Sequence, residues 1–346
     1  MGKLEYYNNL KEKEDKFRNF ERIDTKEQFD SFYTSISDQL NDQMGNLFFR
    51  GVTEAKYKLY NSAQRVWITK ELNNWQIEYL DIIQEIVTNA KAWCNGLLNK
   101  FYKAFGRKAY DIPVLSFLQH YGAPTPLLDW TYSLDISLFF GINDLKYTES
   151  NIDIDNYFSI YIIVKNKKTG KNNELIDIRD IYKPDSDSNI NFNNEINEDI
   201  KLKLSENKRS PNRYLFAFKQ FRQLKLFYIS DFKRLKNKMI LIEDKGSYNE
   251  KTLYSNTNFN IINQQGLFIF NSDPNIPIED IFTGGISEAN NFSLAKINCV
   301  NIHKNLYEYI YYELFKKGIT KNYIYPQEEK LASDSIKYFL NFDKIK

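Results

Sequence analysis

The sequence predicts an α+β fold in which helices pack on a mostly antiparallel or mixed central sheet. Apolar residues at helical spacing concentrate near the start of the chain, whereas runs rich in Ile, Phe and Val concentrate in its centre and end. Helical and strand patterns do not alternate regularly, as they would in a parallel sheet built from βαβ units. A chain of 346 residues is also long enough to bury a substantial core.

The early part of the chain is predicted to be mainly helical. Residues 5–20 carry charges at nearly every turn, so residues 1–24 are predicted to form a charged N-terminal helix. Thr25 begins a Thr-Lys-Glu-Gln string that is typical of a helix capping box. A short buried strand is predicted at 46–50, and a long amphipathic helix is predicted at 68–104.

The rest of the chain is predicted to hold most of the strands. A helix is predicted at 112–121, and an apolar helix follows Ser133. Strands are predicted at 158–165, 238–244, 267–271, 280–284 and 293–299, and closing helices at 301–316 and 327–341. Residues 166–210 are rich in Lys, Asn, Asp and Ser and are predicted to form a long, mobile polar insertion with one short helix near 196–206.

The composition indicates a soluble cytoplasmic protein. The formal net charge is +2, so no net basic field favours nucleic acid as a partner. Cys94 and Cys299 are too few and too far apart for a disulfide framework or a zinc site, which is typical of a reducing compartment. The sequence shows neither a signal peptide nor an apolar run that could span a membrane, so we expect no membrane partner.

An arginine ends the apolar string Leu47-Phe48-Phe49 and is followed by Gly51. Arg50 is costly to shield from water unless an anion or another partner lies beside it. A glycine in the next position lets a backbone or a ligand approach closely. Arg50 is therefore either an ordinary surface arginine that closes a strand or part of a site for phosphate or carboxylate.

His120 is one of two histidines in the chain and lies just before a glycine and two prolines. At the end of a helix it could simply complement the helix dipole. Alternatively, Gln119, His120 and Tyr121 project into a pocket, with the Ala-Pro-Thr-Pro turn fixing their direction. His303 lies at a predicted helix start, where a capping or surface role is expected.

Asp129 lies between two apolar runs, next to Trp130. A partly buried carboxylate needs backbone amides, a hydroxyl or an arginine as its partner, and Arg50 and Arg65 are the candidates. The alternative is that Asp129 caps the helix that follows it. The GxSxG, HExxH, P-loop and GxGxxG motifs are absent from the sequence. With so few His and Cys residues, we expect no metal cofactor.

Three strings together resemble the FRG-domain family. They are FFRG at 48–51, QHYGAPTPLLDWTYSLDISLFF at 119–140 and QQGLF at 264–268. With the string GITKNYIYPQ near the end of the chain, the resemblance extends over residues 25–335 and leaves a tail at 336–346. Members of the family usually carry Arg where this chain has Pro126 and a basic residue where it has Asn260.

The chain also resembles ADP-ribosyltransferases in the order of three short elements, which makes an ADP-ribosyltransferase-like fold an expectation. Those enzymes place an aromatic-Arg-Gly string on the first core strand, then a small-hydroxyl strand before an apolar helix. A Glu or Gln follows on a later strand. The counterparts here are Arg50-Gly51, the string Trp130-Thr131-Tyr132-Ser133 and Gln264. Because Gln264 is not a carboxylate, Asp129 is the carboxylate candidate.

The resemblances imply an enzyme that acts on NAD⁺ or a related nucleotide, by ADP-ribosyl transfer or glycosidic cleavage, in bacterial phage defence or a toxin-like role. Arg50 would bind phosphate and Asp129 would stabilise developing positive charge. His120 and Tyr121 would line the base or ribose pocket, and Gln264 would orient the ribose or the acceptor. Further candidates for ligand binding are Gly51, Arg65, Trp130, Thr131 and Ser133.

Two other functions stay open. A non-catalytic sensor that binds a nucleotide or an invader's protein is favoured by Gln264, Pro126 and Asn260, which depart from the patterns of the two families. A nuclease is a weaker alternative, because the sequence shows no Asp/Glu/Lys cluster with metal spacing. A protein or a nucleic acid could serve as the acceptor, and the sequence leaves the oligomeric state open.

Overall fold

The computed structural model of the chain describes residues 2–17, 20–42, 47–104, 109–165, 175–177, 232–236, 239–242, 259–283 and 295–326. Within these residues, helices pack on one mixed β-sheet, which confirms the α+β prediction. The strands are β1 (Phe20–Ile23), β2 (Leu47–Val52), β3 (Leu127–Thr131), β4 (Tyr157–Lys165), β5 (Leu175–Asp177), β6 (Met239–Ile242), β7 (Gly266–Asn271) and β8 (Ala295–His303).

The helices lie before, between and after these strands. They are α1 (Leu10–Lys16), α2 (Lys26–Asp42), α3 (Ser62–Thr69), α4 (Tyr79–Ala104), α5 (Asp111–His120), α6 (Leu134–Ile142), α7 (Phe259–Asn263), α8 (Ile278–Thr283), α9 (Tyr307–Lys316) and α10 (Lys321–Ile324). Side chains fix where several of them begin. The capping box predicted at Thr25 is confirmed, since its Oγ1 accepts from the Gln28 amide at 3.3 Å and its amide donates to Gln28 Oε1 at 3.1 Å.

The strand order is β1-β8-β4-β2-β3-β7-β6-β5. β1 pairs with β8 and β5 with β6 in parallel, and the other pairs are antiparallel. β2 pairs with β4 along its whole length, from Leu47 to Val52. In contrast, β2 meets β3 at one position, where Phe49 lies opposite Thr131. The two central strands therefore diverge immediately after this position.

The two faces of the sheet are covered differently. One face, which includes Phe48 and Trp130, packs against α1 and α8. The opposite face is covered by two groups of helices. One group, with α2, α6 and α9, packs on β2, β4 and β8, whereas the other, with α3, α4 and α5, packs on β3, β6 and β7. The boundary between these two groups lies over β2 and β3, where the strands diverge.

Helix α1 is fixed to the sheet by a buried lysine. Lys13 is fully buried, and its Nζ donates to Ala55 O at 2.9 Å, to Ser159 Oγ at 2.7 Å and to Asn301 Oδ1 at 2.9 Å. Burial lowers the pKa of this ammonium group. The sequence predicts a solvated helix at 5–20, but among the residues of this stretch that the structure describes only 10–16 are helical, and this lysine faces the core. The three hydrogen bonds of its ammonium group offset the cost of burying Lys13.

Several predicted elements differ from the observed ones. The stretch 280–284 is predicted as a strand, but it falls largely in α8, whose Ile278 and Phe282 are buried four residues apart. The helix predicted at 301–316 begins only at Tyr307, because β8 continues to His303. The capping role expected for His303 is confirmed, since its Nδ1 accepts from the Asn305 amide at 3.2 Å.

The long helix predicted at 68–104 is divided. Helix α3 ends at Thr69, a 3₁₀ turn covers Leu72–Trp75, and α4 is interrupted by non-helical backbone from Trp93 to Gly96. Within the polar insertion predicted at 166–210, residues 175–177 form β5, and the rest lies outside the described residues. The helices predicted at 196–206 and 327–341 also lie outside them.

Candidate functional site

The candidate site lies where β2 and β3 diverge. Beyond the Phe49–Thr131 pair, the side chain of Arg50 extends across the gap, and its Nη1 donates to the backbone carbonyl of Asp129. In a continuous antiparallel ladder, a strand amide would occupy this place. Arg50 thus connects two strands that no longer pair with each other.

The guanidinium of Arg50 has no carboxylate partner among the described residues, and its Nε is buried without a hydrogen bond. Burial lowers the pKa of Arg50, the nearby Asp129 charge opposes this shift, and the charge of Arg65 adds to it. Two arginines therefore lie close enough to repel each other. A buried cation in such surroundings has the electrostatic character of an anion-binding group.

Asp129 presents its carboxylate on the other face of the sheet. Side chains alternate along a strand, so Arg50 shares a face with Phe48, whereas Asp129 shares the opposite face with Thr131, the partner of Phe49. The ion pair predicted between Arg50 and Asp129 is therefore not formed, because the guanidinium meets the carbonyl and not the carboxylate.

The Asp129 carboxylate is instead bonded to an amide. Gln119 Nε2 donates to Asp129 Oδ2 at 2.9 Å, and Gln119 Oε1 in turn accepts from the hydroxyl of Thr125. The alternative that Asp129 caps the following helix is wrong, because the N-cap of α6 is Ser133, whose Oγ accepts from the Ile136 amide at 3.3 Å.

His120 is the last residue of α5 and lies on one side of Asp129. Its ring meets the edge of Phe268 at 6.0 Å between centroids, and Phe268 is the strand partner of Asp129 in β7. Burial lowers the pKa of His120, and the negative charge of Asp129 opposes that shift. Its Nε2 is buried without a hydrogen-bond partner among the described residues. A neutral imidazole therefore lies beside a carboxylate.

Tyr325 also lies within range of the Asp129 charge and was not singled out from the sequence. Its ring is 6.5 Å from that of Phe139 and 6.3 Å from that of Phe140, both on α6. Burial raises the pKa of the Tyr325 phenol, and the charge of Asp129 raises it further. The charge of Asp129 thus acts on both an imidazole at the end of α5 and a phenol that packs on α6.

Gln264, Thr131 and Ser133 meet at the base of the site, where each is engaged within the fold. Thr131 Oγ1 donates to Gln264 O at 2.7 Å and accepts from the Ser133 amide at 3.0 Å. The Gln264 side chain donates to the carbonyl of Ile324 at 3.2 Å, next to Tyr325. Gln264 therefore positions the segment that carries this tyrosine.

Gly51 is required for packing and does not leave room for a ligand. A Cβ at this position would lie 1.9 Å from Ser137 O and 2.6 Å from Gly141 N of α6. Of the two alternatives for Gly51, close approach of a backbone is confirmed, and the expectation that Gly51 gives space to an anion is wrong, because the backbone of α6 occupies that space. Trp130 is buried in the core of the opposite face, and its Nε1 has no hydrogen-bond partner among the described residues.

The two remaining candidates lie at the surface. Tyr121 is 74% exposed, and its ring is 4.6 Å from that of Phe117, so it borders the site without being enclosed by it. Arg65 is exposed on α3, and its Nε donates to Tyr60 O at 3.1 Å. The structure thus places His120 near the Asp129 carboxylate, whereas the Arg50 guanidinium reaches only the Asp129 carbonyl, from the other face of the sheet. Arg65 and Tyr121 lie at the edge.

Other features of the molecule lie apart from this site. A surface groove of about 810 Å³ is lined by residues 3–8, Glu12, Asp15, Lys16 and Lys58, none of which belongs to the site. In the described part of the chain, no group of three or more His, Cys, Asp or Glu side chains could hold a metal ion. Likewise, none of its helices is long and apolar enough to cross a membrane.

Comparison with known proteins gives one finding. Residues 45–150 match the family model of the FRG domain. Neither the curated proteins nor the solved structures include a significant match to the chain. The wider domain span predicted from the sequence, 25–335, stays a prediction outside the matched residues. The chain therefore contains an FRG domain, and Arg50, His120 and Asp129 all lie within it.

Proposed function

We propose that the site between β2 and β3 binds a nucleotide and that the chain acts on NAD⁺ or a related nucleotide. The observation that carries this proposal is the arrangement around Asp129. A buried guanidinium without a carboxylate partner among the described residues lies at its backbone, and the charge of its carboxylate acts on a neutral imidazole and a half-buried phenol. A cationic group on one side of the gap between β2 and β3, with anionic and aromatic groups on the other side, matches the mixed chemistry of a dinucleotide.

Each group has a role in this proposal. Arg50, with Arg65 beside it, binds the pyrophosphate, because a guanidinium can pair with two phosphate oxygens at once. His120 and Tyr325 offer ring surfaces and hydrogen bonds to a base or ribose, with Tyr121 at the entrance. The order of Arg50, the Thr131–Ser133 segment and Gln264 along the chain supports the likeness to ADP-ribosyltransferases.

The reaction is cleavage of the glycosidic bond between nicotinamide and ribose. The C–N bond breaks and nicotinamide leaves with the bonding electron pair, so positive charge develops on the ribose. Asp129 stabilises this charge electrostatically. Water or a nucleophile on an acceptor protein or nucleic acid then bonds to the ribose carbon and loses its proton to the solvent. In a bacterial cytoplasm, such a reaction would serve in phage defence or as a toxin.

The test is to incubate the protein with NAD⁺ and measure nicotinamide release and ADP-ribose transfer. Asp129→Asn is expected to lower the rate by about 100-fold, because it removes the charge that stabilises the transition state. Asp144→Asn is the matched control, since Asp144 also acts on Tyr325 electrostatically but is largely exposed and paired with Lys321. Absence of both products with the wild-type protein would exclude the enzyme.

A binding module without chemistry is the second candidate, and the Gln264 contact favours it. Gln264 supplies no carboxylate, and its amide holds the Ile324 carbonyl. In this case NAD⁺ would raise the melting temperature and be recovered intact, and an invader's protein would be the other ligand to try. A nuclease is the weaker alternative, and plasmid nicking in the presence of Mg²⁺ tests it.

A further inference from the structure

We infer that Gln119 is a positioning residue that aims the Asp129 carboxylate, and that Thr125 holds the far end of the Gln119 amide in place. The inference deepens the proposed function and rests on it, because it states which part of the ligand Asp129 meets. The three side chains form one hydrogen-bonded series, from Thr125 Oγ1 to Gln119 Oε1 and from Gln119 Nε2 to Asp129 Oδ2.

The Asp129 carboxylate decides how the amide of Gln119 is oriented, and Thr125 holds the other end of that amide. A carboxylate only accepts hydrogen bonds, so the NH₂ group of Gln119 must face Asp129 Oδ2. With the amide reversed, Oε1 would oppose the carboxylate oxygen and two acceptors would meet. Gln119 Oε1 then accepts the single proton of the Thr125 hydroxyl, whose oxygen also accepts from the Leu127 amide at 3.3 Å.

Thr125 is itself held firmly. It is fully buried, and its backbone amide donates to Ser62 Oγ at 2.9 Å. The same Ser62 hydroxyl donates back to the carbonyl of Thr125 at 3.2 Å. Ser62 is the first residue of α3. Thr125, and through it Gln119, is therefore anchored to a helix and not to a free loop.

The series has a consequence for the ligand. Gln119 is a neutral donor, so it fixes the Asp129 carboxylate without cancelling its negative charge. The described residues give Asp129 Oδ1 no hydrogen bond, so this atom can accept one from a ligand. The group that meets Oδ1 is then a hydroxyl or a cationic ring. Phosphate would be repelled there and is placed at Arg50 instead.

Calorimetric titration with NAD⁺ tests the series through binding. Gln119→Met keeps the length of the side chain without its amide and is expected to weaken binding about tenfold. Thr125→Val is expected to weaken binding in the same direction, and Thr125→Ser should restore it. The double variant Gln119→Met/Thr125→Val should bind no more weakly than Gln119→Met alone, because both changes break one series. Thr88→Val, which removes an exposed hydroxyl on α4, is the matched control.

The side-chain amide signals of Gln119 in ¹H–¹⁵N NMR spectra test the series without any ligand. These signals are assigned by their loss in Gln119→Met and are expected to shift in both Thr125→Val and Asp129→Asn. Signals unchanged in both variants would overturn the inference, as would losses of affinity that add in the double variant. If the signals shift but the wild-type protein does not bind NAD⁺, the proposed function fails and the series stands.

Discussion

Arg50 donates a hydrogen bond from its guanidinium to the backbone carbonyl of Asp129, across the gap between β2 and β3. The two strands pair only at Phe49 and Thr131. Beyond that pair, the Arg50 side chain links β2 to β3 in place of a backbone hydrogen bond. The residue that gives the site its positive charge therefore also holds the centre of the sheet together. Stability and ligand binding are expected to depend on it jointly.

Replacing Arg50 by alanine is expected to lower the free energy of unfolding by about 1–3 kcal/mol, because the Asp129 carbonyl loses its donor. The same change should abolish NAD⁺ binding. Urea denaturation and calorimetric titration measure the two effects. Arg65→Ala is the matched control, since this exposed side chain should affect binding while changing stability by less than about 1 kcal/mol. Unchanged stability in Arg50→Ala would show that the contact with the carbonyl is dispensable.

Replacing Gly51 by alanine tests whether this glycine is needed for the packing of α6 on β2 or for ligand binding. The added Cβ would meet Ser137 O at 1.9 Å, so β2 and α6 must move apart, at a cost of about 3 kcal/mol. Gly122→Ala is the control, because Gly122 has a positive φ of 79° but nothing within 4 Å of an added Cβ. Its cost is only the backbone strain of about 1 kcal/mol. If Gly51→Ala kept its stability and lost only ligand binding, the packing role would be refuted.

Glu279 gives the stability of the protein a dependence on pH. Both of its carboxylate oxygens accept from the Leu59 amide at 3.0 Å, and burial raises its pKa from 4.5 to about 7. Between these two pH values the folded state binds more protons than the unfolded state, so stability falls as the pH rises. The loss is at most about 3 kcal/mol.

Urea denaturation across the range from about pH 4.5 to about pH 8 checks this prediction when wild type and Glu279→Gln are compared. The glutamine variant cannot ionise, so the wild type should lose stability relative to it as the pH rises. If the free energies of unfolding of the wild type and of Glu279→Gln differed by the same amount at every pH in this range, Glu279 would titrate at its ordinary pKa in the folded protein.

The sequence predicts best what depends on neighbouring residues. The capping box at Thr25 and the apolar helix after Ser133 are both local, and both are found. The partner of Asp129 was not predicted, although Gln119 is only ten residues away in the same string, because an arginine is the partner expected there. The strand predicted at 280–284 was wrong because a short apolar run fits either period, and Ile278, Ile281 and Phe282 complete the helical one.

Contacts between distant parts of the chain could not be predicted in this way. Tyr325 reaches the site because Gln264 holds the carbonyl of the preceding residue, Ile324, and the sequence near Tyr325 carries no sign of Asp129. The sequence predicts that Arg50 and Asp129 lie close together. It does not predict on which face of the sheet each side chain lies. That difference depends on a single strand pair, Phe49 with Thr131, and a shift of one residue would reverse it.

His120 is expected to titrate below the ordinary histidine pKa of 6.5, because burial disfavours its charged form. Between its folded pKa and 6.5 the folded state binds fewer protons than the unfolded state, so this residue makes stability rise with pH there. The Asp129 charge opposes the shift, so Asp129→Asn should lower the pKa of His120 further. NMR of the imidazole Cε1–H groups measures this directly, since the chain has two histidines and therefore two such signals.

The His120 signal is assigned by its loss in His120→Asn, and the His303 signal serves as the internal reference. A downward shift of the His120 pKa in Asp129→Asn would place the carboxylate beside the imidazole in solution. The same titration in Asp144→Asn should leave His120 unchanged, because Asp144 is exposed and its charge is paired with Lys321. If the pKa of His120 rises or stays constant in Asp129→Asn, the carboxylate does not face the ring. The site would then lose the pairing of anion and neutral imidazole on which nucleotide binding is proposed.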